Sequence, residues 1–251
     1  MQYPFWGIVF GVFRTANESG GDFGPMELSA AQNRIATAGV DERLLVLAGP
    51  GTGKTHTLLR RLVHLVEAEG LHPRSELLVL SFSRAAVAEI RSRLTTLASE
   101  SSRSGLPFVN IRTFDSFATR LISALEEDVD LSGKSYDSRI ALAVRCLEDP
   151  DSNASQALGD IRHVVVDEIQ DLVGVRARLV LLLLNRIGGG FTLLGDPGQA
   201  IYDYLAARPA DGPTATEFLK TVEARYADQL AVYTLSHNYR VRGASADVAA
   251  Q

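Results

Sequence analysis

Leu44-Leu45-Val46-Leu47-Ala48-Gly49-Pro50-Gly51-Thr52-Gly53-Lys54-Thr55 is the stretch from which the fold is read. The apolar run Leu44–Leu47 predicts a buried strand, and a helical pattern opens at Lys54 and continues to Glu69. Between them lies a glycine-rich turn. Glycines let backbone N–H groups turn inward around an anion, and the helix N-terminus adds its positive end. Strand, glycine turn and helix in that order read as a phosphate loop. Gly49, Pro50, Gly51, Thr52 and Gly53 then form the cradle, Lys54 reaches the β- and γ-phosphates of a nucleotide, and the Thr55 hydroxyl ligates Mg²⁺. The strict spacing asks for a glycine at position 48. Ala48 stands there, with Gly49 one place later, a variation that a small residue accommodates.

A second apolar strand ends in acids: Val164-Val165-Val166-Asp167-Glu168-Ile169-Gln170-Asp171. A buried strand of a parallel sheet delivers its C-terminal residues to the edge where ligands of α/β proteins bind. Asp167 is placed there to hold Mg²⁺, directly or through water. Glu168 is placed to polarise an attacking water as general base. An Asp-Glu pair alone is a weak signal, but behind three β-branched residues and beside a phosphate loop it predicts ATP hydrolysis.

Outward from these two elements the pattern alternates. Helices are predicted over Glu27–Thr37, Arg84–Ala98, Phe114–Leu125, Ile140–Leu147, Val175–Ile187 and Thr216–Arg225. Strands are predicted over Leu77–Leu80, Phe108–Ile111, Phe191–Leu194 and Val232–Leu235. The reading is α/β, a parallel sheet with helices on both faces. The first 26 residues stand apart as an aromatic leader, carrying Tyr3, Phe5, Trp6, Phe10, Phe13 and Phe23. They read as a strand or hairpin leaning on the main body, or as a contact surface for a partner. One domain is expected over residues 27–251.

Composition narrows the class. At 251 residues, 46% hydrophobic and 22% charged, the chain is long enough for a substantial core, and disorder, collagen and coiled coil are excluded as whole-chain readings. Its single cysteine, Cys146, excludes an internal disulfide framework and fits a reducing compartment. The apolar stretch at 3–13 lacks the basic n-region and small-residue cleavage site of a signal peptide, and that at 179–184 is far too short to span a bilayer, so no membrane partner and a cytoplasmic location are expected. A net charge of −5 argues against holding nucleic acid by bulk charge, though not against a local basic groove. Only three of the 25 basic side chains are lysines, and one of them is Lys54.

Joined to Asp-Glu-x-Gln-Asp, the phosphate loop gives a chain that resembles superfamily I DNA helicases of the UvrD/Rep type, over roughly residues 27–242. Leu28-Ser29-Ala30-Ala31-Gln32 is similar to the family's Q motif, which assigns Gln32 to the adenine edge. Ser81-Phe82-Ser83, continuing to Glu89 and Arg93-Leu94, resembles motif Ia, and Thr113-Phe114-Asp115-Ser116-Phe117 resembles motif Ib. The run from Leu194 to Tyr202 (LGDPGQAIY) resembles motif III, and Asn238-Tyr239-Arg240 motif IV. The resemblance implies a P-loop NTPase with a RecA-like sheet and ATP and Mg²⁺ as cofactors. It gives Gln199 contact with the γ-phosphate and the lytic water, and makes Arg240 an arginine finger. His56 stands where the family's adenine-stacking arginine is usual, with Tyr239 as the opposing face.

On the DNA side Phe82 and Tyr204 are the candidates for stacking on bases, and Thr113 belongs to the motif Ib match. Arg84, Arg91 and Arg112 are candidate phosphate contacts that read equally as solvated helix or loop arginines. The resemblance also implies movement in the 3′→5′ sense on single-stranded DNA, RNA remaining open as a substrate, and no obligate oligomer. Several positions depart from the family: Ala85 replaces a lysine, Asp115 a histidine and Leu205 an arginine. The helical insertion between motifs Ib and II, here 118–161, is shortened, and the second RecA-like domain is absent from these 251 residues. The expected behaviour is that of a motor-domain fragment that binds nucleotide without unwinding. The alternative is a non-motor, ATP-dependent nucleic-acid-binding or regulatory module.

Overall fold

The computed structural model describes residues 28–101, 105–125, 129–196, 198 and 211–239. The aromatic leader, Gln199, Tyr204 and Arg240 lie outside the described residues. In chain order the elements are α1 (Ala30–Ala36), β1 (Arg43–Ala48), α2 (Lys54–Glu67), β2 (Leu77–Ser81), α3 (Arg84–Ser101), β3 (Asn110–Thr113), α4 (Phe114–Leu125) and α5 (Tyr136–Glu148). Then come α6 (Ala154–Leu158), β4 (His163–Val166), α7 (Gly174–Ile187), β5 (Gly190–Gly195), α8 (Ala215–Tyr226) and β6 (Leu230–Leu235). Short 3₁₀ turns occupy Leu106–Phe108 and Ile169–Asp171.

The strands form one six-stranded sheet in the order β3-β2-β4-β5-β1-β6. Each recorded pairing is parallel. Alternate residues of each strand face opposite sides, so the strands feed two separate cores. On one side Leu45, Leu78, Leu80, Val164, Val166, Phe191 and Leu193 meet α4, α5, α6, α7 and α8. On the other Leu44, Val46, Leu77, Val79, Val165 and Leu194 meet α1, α2 and α3. Fully burying each Leu, Val or Phe stabilises by about 1.5–3 kcal/mol, so a strand covered on both faces can afford no polar residue without a partner. The α/β reading with helices on both faces holds.

The start of β3 differs from the sequence expectation. The strand expected at Phe108–Ile111 starts two residues later, at Asn110, because Pro107 lies in the first turn of the 3₁₀ segment and offers no N–H to a ladder. Phe108 is consequently half-exposed rather than sheet core. Helices α5 and α6 pack directly onto the main core: Ile140, Ala143, Val144 and Leu147 of α5, with Ala154 and Leu158 of α6, join α4 and α7 on one sheet face. The apolar run at 179–184 lies within α7 and supplies that same core.

The topology places the site. β5 lies between β1, which carries the glycine turn, and β4, which ends in Asp167. The C-terminal ends of all three strands therefore converge on one edge of the sheet.

Candidate active site

The glycine turn after β1 takes the geometry that the residue types predict. Gly51 and Gly53 both have φ of +81°, in the left-handed region where a side chain is strained. Thr52 closes the turn on itself, its hydroxyl donating to the Gly49 carbonyl at 2.8 Å. The α2 helix then starts at Lys54, and Gly53 as its N-cap contributes no side-chain bond, leaving first-turn N–H groups unpaired by a cap. An anion is the natural partner for such a terminus.

Lys54 extends from α2 across to the end of β4. Its ammonium contacts Glu168 Oε2 and lies 3.8 Å from Asp167 Oδ1. Asp167 is buried, and burial pushes its carboxyl up to about 6, an effect that Lys54 opposes and the Glu168 charge reinforces. A buried carboxyl held so high favours a neighbouring cation. Among the described residues no cluster of three or more His, Cys, Asp or Glu could hold a metal alone. Asp167 and the Thr55 hydroxyl would thus supply part of a Mg²⁺ shell, with phosphate oxygens and water for the rest, as Mg²⁺ at nucleotide sites commonly requires. The donor set fits a nucleotide-bound divalent ion.

Glu168 is the only non-glycine residue with positive φ among those described, at φ 58° and ψ 48°. Strain of this kind, of order 1–3 kcal/mol, persists only where surroundings over-determine it. The left-handed residue breaks β4 and starts the 3₁₀ turn at Ile169, aiming the carboxylate at Lys54. Gln170 completes the setting. Its amide nitrogen donates to Glu168 Oε2 at 2.6 Å, and its carbonyl oxygen accepts from the Asp196 N–H at 3.0 Å. Gln170 thereby links the acidic turn to the end of β5. The sequence motifs give Gln170 no role of its own; its place in Asp-Glu-x-Gln-Asp is the signal that points to it.

The opposite wall is built by Gln32 and the segment after β6. Ser29 and Gln32 form a reciprocal cap of α1. The Gln32 amide nitrogen donates onward to the Thr52 carbonyl at 3.1 Å, and its oxygen accepts from the Tyr239 hydroxyl at 3.4 Å. Asn238 donates to the Pro50 carbonyl at 3.2 Å, and the Tyr239 N–H to Gly51 at 2.9 Å. Residues 188 to 207 positions apart in sequence are thus drawn together at this turn. His56 lies in the first turn of α2, half-buried, with its pKa lowered by burial and by Arg60 and Arg93, which keeps the imidazole neutral. His237 packs edge-on against Tyr239, ring centres 4.6 Å apart.

The residues expected on a nucleic acid lie further along the same sheet edge, where Ser81 and Thr113 are register partners at the ends of β2 and β3. Phe82 is partly buried and edge-on to Phe114 at 4.9 Å. Thr113 accepts from the Ser116 N–H at 3.2 Å, and Arg84 is exposed at the start of α3. Asp115 turns toward Arg139, 3.9 Å away.

The family model for the UvrD/REP helicase N-terminal domain matches residues 28–135 and 132–215. The chain is 33% identical to the ATP-dependent DNA helicase UvrD2 of Mycobacterium tuberculosis over 146 residues, 57% of this chain and 19% of that protein. It is 24% identical to the ATP-dependent DNA helicase SRS2 of Saccharomyces cerevisiae, over 72% of this chain and 23% of that protein. Among solved structures, the Pif1 helicase from Candida albicans aligns with a TM-score of 0.46 at 17% identity, over 84% of this chain and 39% of that one. The chain spans less than a quarter of the length of these curated relatives.

Proposed function

The chain belongs to the family of UvrD/REP helicase N-terminal domains, and on that premise we propose that it is the ATP-binding motor domain of a 3′→5′ translocase on single-stranded DNA. In this reading it works as part of a longer protein with a second RecA-like domain, and alone binds nucleotide without unwinding. The relatives, which are several times longer, support that part of the proposal. The observation that carries the chemistry is the single constellation of Lys54, Asp167, Glu168 and Gln170 beside the glycine turn.

ATP with Mg²⁺ would supply the transferable phosphoryl group and the divalent charge that offsets its negative oxygens. The chain's own residues do the rest. Backbone N–H groups of the turn and the start of α2 bind the phosphates. Lys54 swings from Glu168 to the β- and γ-oxygens, which frees Glu168. Released, and held in place by Gln170, Glu168 orients the attacking water and accepts its proton at Oε2. Asp167 and Thr55 would hold the metal. Tyr239 and the neutral His56 flank the adenine, with Gln32 at its edge. Gln199 reports the γ-phosphate, and Arg240 stabilises charge on the transferred group, in each case as the family's motifs imply.

ATPase activity of the full-length protein, with and without single-stranded DNA, tests this reading. Stimulation by the strand that vanishes in Glu168→Gln, while nucleotide binding stays, is the expected result. Absence of stimulation would defeat the translocase reading.

A further inference from the structure

The outer edge of the sheet, away from the nucleotide site, carries a groove of about 770 Å³. Its floor is β3, which among the described residues pairs with β2 only. Arg74, Arg84, Arg91, Arg112 and Arg120 line it, together with Phe108. Asp115 is the one acid in the lining, and it faces Arg139. For a chain of net charge −5 this is a strong local concentration of positive charge.

The charge is not neutralised internally. Among the described residues none of the five arginines is in an ion pair. The inner two are held by neutral groups. Arg112 donates to Asn110 Oδ1 at 2.8 Å and Ser116 Oγ at 3.3 Å, and Arg91 donates to the Ile111 carbonyl at 3.2 Å. Arg112 is also lowered by burial, then by the charges of Arg120 and Arg91, as expected where cations crowd without a counter-ion. Arg74, Arg84 and Arg120 are exposed. At the far end the Arg74 guanidinium sits over the Phe108 ring, 4.5 Å from its centre, and that ring remains 50% exposed.

The groove begins at Arg84 and Thr113, at the C-terminal ends of the strands, and ends at Phe108 and Arg74, ahead of β2 and β3. β3 itself spans three residue steps, roughly 10 Å of extended chain, with the 3₁₀ turn and Phe108 beyond it. We infer that this edge groove holds the phosphate backbone of a single-stranded polynucleotide that continues past the strand tips and down the side of the sheet. The inference rests on the motor-domain reading and extends the path from Arg84, Arg91, Arg112 and Thr113, already expected on the DNA strand, to Arg120, Arg74 and Phe108, which no motif marks. An acidic peptide would meet the same arginines, but two features favour a polynucleotide. The groove is continuous with the tips where Phe82 and Thr113 stand, and its far end offers an aromatic face of the kind on which bases stack.

The test is the affinity of the full chain for a labelled oligo-dT of about twenty nucleotides, longer than most single-module sites. Wild type is measured beside Arg74→Glu/Arg120→Glu and beside Lys220→Glu/Arg225→Glu, an equal charge change on α8. The groove variant is expected to bind at least about tenfold more weakly, with a salt slope smaller by about 1.4, from two lost phosphate contacts at ~0.7 each. Its ATP-analogue affinity and unfolding midpoint should match wild type. If the groove variant fails to fold, Arg74→Gln/Arg120→Gln takes its place, with a smaller loss of affinity expected.

Equal oligonucleotide binding by wild type and groove variant would overturn the path while leaving the motor reading intact. An equal loss in the α8 variant would overturn it in favour of a long-range field. Loss of polyglutamate binding with oligonucleotide binding unchanged would assign the groove to an acidic protein instead. A wild-type chain that binds no oligonucleotide in any nucleotide state would overturn both readings.

Discussion

Gly53 shows how tightly single residues are fixed at the site. A Cβ there would lie 2.5 Å from the Gln32 amide nitrogen, on a backbone at φ +81°. Gly53→Ala therefore has to displace the side chain that holds the Thr52 carbonyl. The expected cost is about 1–2 kcal/mol in urea unfolding, with at least about tenfold weaker ATP-analogue binding, a factor equal to ~1.4 kcal/mol. Gln170→Ala is a second test. It removes the bond to Glu168 and leaves the Asp196 N–H without its partner, so hydrolysis should fall by about 10²-fold while nucleotide affinity changes little, as for a group that positions a base. The glycines, Lys54, Asp167 and Glu168 were readable in the sequence because each chemistry demands a particular residue type at a particular spacing. The left-handed turn at Glu168 and the Gln170 bridge were not. Backbone sign at a non-glycine residue and the partner of an amide depend on where β4 and β5 end relative to one another.

Elements are tied together at the opposite end of the sheet by a buried polar network. Arg61 of α2, fully buried, donates to the Ala38 and Gly39 carbonyls and to Thr192 Oγ1 of β5. His163 of β4 donates from Nδ1 to the Val40 carbonyl at 2.6 Å and accepts at Nε2 from the Thr192 hydroxyl at 3.0 Å. Burial, and then the Arg61 charge, hold the His163 imidazole down to about 3, while Arg61 itself is lowered to about 10 and stays charged. The folded chain thus refuses a proton that the unfolded chain accepts below 6.5. Its contribution to stability is complete above that pH and is lost as pH falls toward about 3, by up to about 1.4 kcal/mol per pH unit. The measurement is urea unfolding from pH 7 downward, wild type against His163→Gln, whose difference should shrink with that slope. Arg61→Met, which strands the Ala38 and Gly39 carbonyls, should cost about 2–4 kcal/mol. Most elements were legible from periodicity, and α4 has the boundaries that its pattern predicts. This network was not legible, since Arg61, His163 and Thr192 are far apart in sequence and none belongs to a motif.

At the scale of the whole molecule the sheet divides its labour by edge. The strands' C-terminal ends carry the residues proposed to bind nucleotide, and β5 sits between the two strands that supply the glycine turn and the acids. The segment after β6 returns to the loop through Asn238 and Tyr239. Gln170 on the β5 side and Tyr239 on the β6 side both hydrogen-bond to residues of this edge. Among the described residues no helix is long and apolar enough to cross a membrane. The claim on which the rest depends is that the glycine turn binds nucleotide phosphates through Lys54. Equilibrium titration with a non-hydrolysable ATP analogue and Mg²⁺, comparing the wild-type chain with Lys54→Ala, tests it most directly. The prediction is a loss of affinity of at least about tenfold, or ~1.4 kcal/mol, in a variant that remains folded. Equal affinity in the two chains would contradict the account.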